Sequence, residues 1–151
     1  MKSKLAAVTF ALLLGAVALD AAAQQKPEVL VKQRQAAMTL QAKYLGPMGA
    51  MAQGRIPFDA ATVQRNAGSL ETLSKMPWDG FAESTKGEKS AALPAIWEKA
   101  SEFKQAQERF ESEASKLVQV AKSGDEGAIK AQIGATAKSC GGCHETFRQK
   151  N

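Results

Sequence analysis

The sequence predicts an all-α protein, an antiparallel four-helix bundle, and three observations point to it. From Lys26 onward no stretch sustains the apolar/polar alternation of a strand, and β-branched residues are too sparse to build a sheet. Apolar side chains recur instead every three or four residues, the period of a helix buried along one face. Prolines, aspartates and glycines then divide this pattern into four segments with short loops and one longer crossing, the arrangement of a bundle. A length of 151 residues suits one domain, since domains cluster at about 100 to 150 residues.

Residues 1–23 stand apart from that domain. Lys2 and Lys4 precede an apolar run from Leu5 to Leu19, broken only by Thr9 and Gly15, and Ala21-Ala22-Ala23 follows. This is the order of a secretory signal with a small-residue cleavage site, and the run is short of the roughly 20 apolar residues that span a bilayer. The expectation is export to the periplasm, cleavage after Ala23, and a domain over residues 24–151 with no membrane attachment.

The first helix starts at Pro27, a favoured first-turn residue, and places Leu30, Arg34, Met38, Gln41 and Leu45 on one side before Gly46-Pro47 bends or breaks it. The second runs from Asp59, as N-cap, through Val63, Ala67, Leu70 and Leu73, and stops before Pro77. A polar loop, residues 83–92, leads to the third. There Pro94 suits the first turn and Gly124 the end, with Ile96, Trp97, Ala100, Phe103, Phe110, Ala114, Leu117, Val118 and Ala121 as the apolar face. The fourth opens at Asp125 and carries Ile129, Ile133, Ala137, Cys140, His144 and Phe147 on one face.

Charge adds exclusions rather than a site. The formal charge of +5 becomes +4 without Lys2, Lys4 and Asp20, and acids and bases are interspersed, as in Glu98-Lys99 and Glu108-Arg109. No basic stripe marks a nucleic-acid partner; the pattern reads as a solvated surface of mixed sign.

The chain has two Cys and one His, and all three fall within Cys140-Gly141-Gly142-Cys143-His144. A zinc site would need further Cys or His ligands, and the sole histidine leaves no Ser/His/Asp triad beyond the motif. A thioredoxin-like thiol pair needs a helix N-terminus to depress its pKa, whereas this motif lies late in a helix with no βαβ pattern upstream. A disulfide across two residues would close too short a loop to constrain the unfolded chain much. C-x-x-C-H is the attachment signature of a c-type haem: two thiols form thioethers with the vinyl groups and the adjacent imidazole becomes an axial iron ligand. One covalent haem c between the helices is therefore expected, on Cys140, Cys143 and His144. Gly141 and Gly142 should each cost this helix roughly 0.5 to 1 kcal/mol relative to alanine.

Beyond the motif, the chain resembles the cytochromes c′, the class II c-type cytochromes, and their c-556 relatives. The resemblance rests on Cys140-Gly-Gly-Cys143-His144-Glu-Thr-Phe147-Arg148 near the carboxyl end, Lys26-Pro27-Glu28 with Arg34-Gln35 and Met38, Met76-Pro77-Trp78-Asp79-Gly80-Phe81, and Ile96-Trp97 followed by Phe103-Lys104-Gln105. It covers nearly all of residues 24–150. It implies a left-handed bundle, often a homodimer packed through the first two helices. It makes His144 the proximal ligand close to Arg148, puts Arg34 and Gln35 at the propionates and Met38 at the distal position facing the iron, and sets Trp78, Phe81 and Phe147 around the haem. Met48, Met51 and Met76 are weaker ligand candidates.

Two functions follow from the resemblance, neither enzymatic. One is an electron carrier exchanging with a periplasmic redox partner. The other is a module binding nitric oxide or carbon monoxide at an open distal face, with Met38 as a steric gate. A low-spin c-556-type carrier, with Met38 as sixth iron ligand, is the alternative. Thiol oxidoreductase chemistry at Cys140 and Cys143 is a third class.

Overall fold

The computed structural model describes residues 25–150, so the expected signal segment lies outside the described residues. Five helices follow in order: α1 (Pro27–Ala52), α2 (Ala60–Ser74), the single turn α3 (Ala95–Glu98), α4 (Ala100–Ala121) and α5 (Glu126–Phe147), with two short 3-10 turns at Trp78–Phe81 and Glu83–Thr85. Helix α1 packs on α2 and α5, α4 packs on α2 and α5, and the chain thus runs up and down around a ring of four long helices. Among the described residues there is no β-strand, only an isolated bridge between Ala92 and Arg148.

The caps form as the sequence predicts. Asp59 accepts from the Thr62 amide at 3.0 Å and Asp125 from the Ala128 amide at 3.0 Å, each satisfying an orphan donor of the first turn. Gly124 takes φ +75 just beyond α4, a conformation favoured by a residue without Cβ. The core joins Met48 and Met51 of α1, Val63, Ala67 and Leu70 of α2, Phe110, Ala114, Leu117 and Ala121 of α4, and Ile129 and Ile133 of α5. Burying a leucine or isoleucine contributes about 1.5 to 3 kcal/mol, enough for these contacts to override local preferences.

Three local expectations change. Helix α1 runs through Gly46-Pro47 to Ala52 instead of breaking. Gly46 has no Cβ to clash with the proline ring, and Met48 (0% exposed) and Met51 (6%) tie the extra turn into the core. The third segment is interrupted at Lys99, where φ −116 and ψ 46 leave the helical region. That break lets Ile96 bury and the Trp97 Nε1 donate to the Phe81 carbonyl at 3.0 Å, while Phe103 and Phe110 keep the register of α4. In α5, Ala137 is exposed and Thr136 and Ser139 lie inside instead. Their hydroxyls donate back to the carbonyls of Gln132 (2.9 Å) and Thr136 (2.7 Å), so the buried oxygens are satisfied.

Between α4 and α5 the polar contact is Glu113, which accepts from Gln132 Nε2 at 2.6 Å and Lys116 Nζ at 2.9 Å. These bonds hold its carboxyl below the ordinary value of 4.5, Gln132 contributing most. Because the folded value is depressed, the stabilisation is full above the unfolded value and disappears as pH falls through the folded one. A thermal melt series is expected to show Glu113→Gln less stable than the parent at neutral pH, with the gap closing below about pH 4. A gap that persists or widens at pH 3 would remove this assignment.

Candidate haem site

One cavity of about 590 Å³ opens among α1, α4, α5 and the segment 78–92. All ten residues singled out in the sequence line it: Arg34, Gln35 and Met38 from α1, Trp78 and Phe81 from the first 3-10 turn, and Cys140, Cys143, His144, Phe147 and Arg148 from α5 and its end. The helical spacing of the motif explains the α5 group, since residues three and four apart share a face. Of the remaining methionines, Met48 and Met51 are buried in the core and Met76 is exposed, and none lines the cavity.

Burial sets the protonation of the motif. The Cys140 thiol is pushed up to about 11, chiefly by burial and then by the neighbouring Cys143, and burial raises Cys143 as well. Both stay protonated at neutral pH, opposite to the thiolate that disulfide-exchange chemistry requires. His144 is lowered, first by burial and then by the charge of Arg148, which keeps its imidazole neutral and able to donate a lone pair to a metal.

The aromatic wall is continuous. Phe81 meets Phe103 edge-on at 4.9 Å, Phe103 meets Phe147 at 5.2 Å, and Trp78 stands edge-on to Phe103 and Phe110 at 6.2 and 6.5 Å. The Trp78 Nε1 is buried without a hydrogen-bond partner among the described residues. Its inaccessibility from the cavity makes Trp78 a packing surface there rather than a donor.

Arg34 is 3% exposed. Its guanidinium donates to the Gly80 carbonyl, to Thr85 Oγ1 at 3.2 Å and to Ser90 Oγ at 2.8 Å, and lies 4.4 Å from the centre of the Phe81 ring. Every one of these partners is neutral, and burial lowers the pKa of the group. Sequence reasoning missed this role: Thr85 is fully buried and Ser90 half-buried, although their segment reads as a polar loop. Gly80 permits the approach, since a Cβ there would lie 2.5 Å from Arg34 Cβ and 2.8 Å from the Leu30 carbonyl. Beyond Ser90 the wall is held by the chain end: the Leu93 amide donates to the Phe147 carbonyl at 3.0 Å and the Gln149 amide to that of Ala91 at 2.8 Å.

These residues fit a haem. The cavity is apolar and porphyrin-sized, two thiols and one imidazole line it from a single helix, and a thioether and a buried cation without a carboxylate partner line it from α1.

Bundle and cavity together define a class, a helical-bundle protein whose cofactor is bound through its last helix. The comparisons with known proteins make the class specific. A sequence model described as Cytochrome C' matches residues 29–148. The cytochrome c' of Rubrivivax gelatinosus is 42% identical over 127 residues, 83% of this chain and 98% of the relative. Among solved structures, a nitric oxide complex of a leucine-to-alanine mutant of cytochrome c prime from Alcaligenes xylosoxidans superposes with a TM-score of 0.78 at 40% identity, covering 85% of this chain and 99% of that one. Cytochrome c prime from Shewanella frigidimarina gives 0.81 at 36% identity, covering 84% and 99%. The chain belongs to the cytochrome c′ family, and its cofactor is covalently attached haem c with its iron. Among the described residues no helix is long and apolar enough to cross a membrane.

Proposed function

We propose that the protein carries electrons through its haem and binds nitric oxide or carbon monoxide at an open distal face. The observation that carries this reading is the placement of His144 and Met38 in one cavity on different helices, where His144 would ligate the iron and Met38 would stand at the distal position. Bound haem supplies an iron that cycles between ferric and ferrous and accepts a diatomic ligand. Cys140 and Cys143 hold it as thioethers, and His144 gives the proximal nitrogen with Arg148 beside it. Arg34 and Gln35 offer donors to the propionates; the carboxylate that Arg34 lacks among its present partners is the one a propionate would provide. Phe81, Phe147 and the Trp78 indole exclude water from the rings' flanks. Met38, an unbranched and flexible side chain, gates the distal face. The nitric oxide complex of the Alcaligenes relative supports the gas-binding half of the reading.

The proposal includes export to the periplasm by the segment 1–23, cleavage after Ala23, and a homodimer through α1 and α2. The dimer is supported by Val29 and Leu40, 38% and 42% exposed and three turns apart on one face of α1, and by Ile56 (41%) just beyond it.

Optical spectra of the ferric and ferrous protein test the distal site. High-spin bands that change on adding nitric oxide are expected, and Met38→Leu should leave the resting spectrum nearly unchanged. Low-spin, six-coordinate bands in both states, lost in Met38→Leu, would replace this reading with the c-556-type carrier in which Met38 is the sixth ligand.

A further inference from the structure

A second depression, of about 470 Å³, lies between α4 and α5. It shares Ala106, Ser139, Cys143 and Phe147 with the haem cavity, so these residues border both. Four charged residues line it: Glu102, Arg109, Glu113 and Lys138. The acids are already matched within the chain, Glu102 by Lys99 at 3.7 Å and Glu113 by Lys116 at 2.9 Å and Gln132 at 2.6 Å. The bases are not: among the described residues neither Arg109 nor Lys138 has an ion-pair or hydrogen-bond partner. Two cations without a partner among the described residues therefore line the same groove as Cys143.

Resting on the electron-carrier reading, we infer that this groove docks the acidic face of an electron-exchange protein, with Arg109 and Lys138 receiving its carboxylates and Cys143 as the point of closest approach to the cofactor. Exposed charges of this kind act on encounter rate more than on affinity, and their influence is screened within about 8 to 10 Å at physiological salt. That is suited to a partner which must leave again after one electron.

The test uses the holoprotein and two reductants, with hexacyanochromate(III) as a redox-inert paramagnetic trianion. The trianion is expected to broaden the amide signals of Arg109, Lys138 and Gly142 in the diamagnetic ferrous carbon monoxide complex, and Arg109→Gln with Lys138→Gln should abolish that broadening. In stopped flow at low salt, the double variant should be reduced by anionic iron(II)–EDTA roughly tenfold more slowly than the parent, a difference that vanishes at high salt. An uncharged photoreduced flavin should reduce both proteins equally, which also shows the variant to be folded and loaded. Broadening confined to other lysines, or equal iron(II)–EDTA rates for parent and variant, would overturn the groove alone. Failure of the flavin to reduce the parent would overturn the electron-carrier reading on which it rests.

Discussion

Replacing both Cys140 and Cys143 by serine is expected to leave no haem on the denatured polypeptide, whereas the parent should keep its haem stain through detergent and heat. The chain has two cysteines in all, so no third thiol can take over the attachment. With the thioethers gone, His144 alone can still ligate iron, and binding becomes a reversible equilibrium that dilution or extraction defeats. Stability should fall with it, because a reversible ligand of the folded state adds stability only as the logarithm of its concentration over its dissociation constant. The region to suffer first is the cavity and not the bundle's far end: Cys140 packs against the core cluster, but Val63, Ala121 and Ile129 of that cluster do not line the cavity. Circular dichroism should thus retain most helical signal in the far ultraviolet while the aromatic signal from Trp78 and Phe103 weakens. Each single serine variant should retain haem on its remaining cysteine with a shifted visible band. Haem surviving denaturation in the double variant would end the thioether assignment.

The motif was legible because its chemistry is local: spacing along one helix fixes which side chains share a face, and Cys140, Cys143, His144 and Phe147 do share the cavity wall. The caps at Asp59 and Asp125 were legible for the same reason. What the chain's periodicity could not convey depends on neighbours distant in sequence. Pro47 sits inside α1 because Met48 and Met51 are wanted by the core, a fact about α2 and α4. Thr136 reads as a surface residue until its hydroxyl is seen to have backbone carbonyls within reach at 2.9 and 3.2 Å. The largest miss was the segment 83–92, whose Thr85 and Ser90 look solvated but supply acceptors to a buried arginine. A signal beside it was Gly80, between Asp79 and Phe81, since a residue without Cβ lets another part of the chain come close.

That arginine gives the second large effect. Arg34→Met is expected to lower unfolding free energy by about 1 to 3 kcal/mol, the range for buried acceptors that lose their donor. The loss comes from the three bonds that Arg34 donates to the Gly80 carbonyl and the hydroxyls of Thr85 and Ser90, the Gly80 carbonyl keeping only its 3.2 Å bond from Thr85 Oγ1. Arg34→Lys should recover only part of it, because one ammonium cannot face three acceptors and stack on Phe81 as a planar guanidinium does. Gly80→Ala attacks the same contact from the other side, pressing a methyl group to 2.5 Å from Arg34 Cβ. If the two residues act as one latch between α1 and the cavity wall, the double variant should be destabilised by clearly less than the summed single losses, as coupled sites are. Urea denaturation of the four variants followed at the haem band measures this. Additive losses would mean two independent sites, and a near-neutral Arg34→Met would leave the cavity wall held by the Leu93 and Gln149 backbone bonds alone.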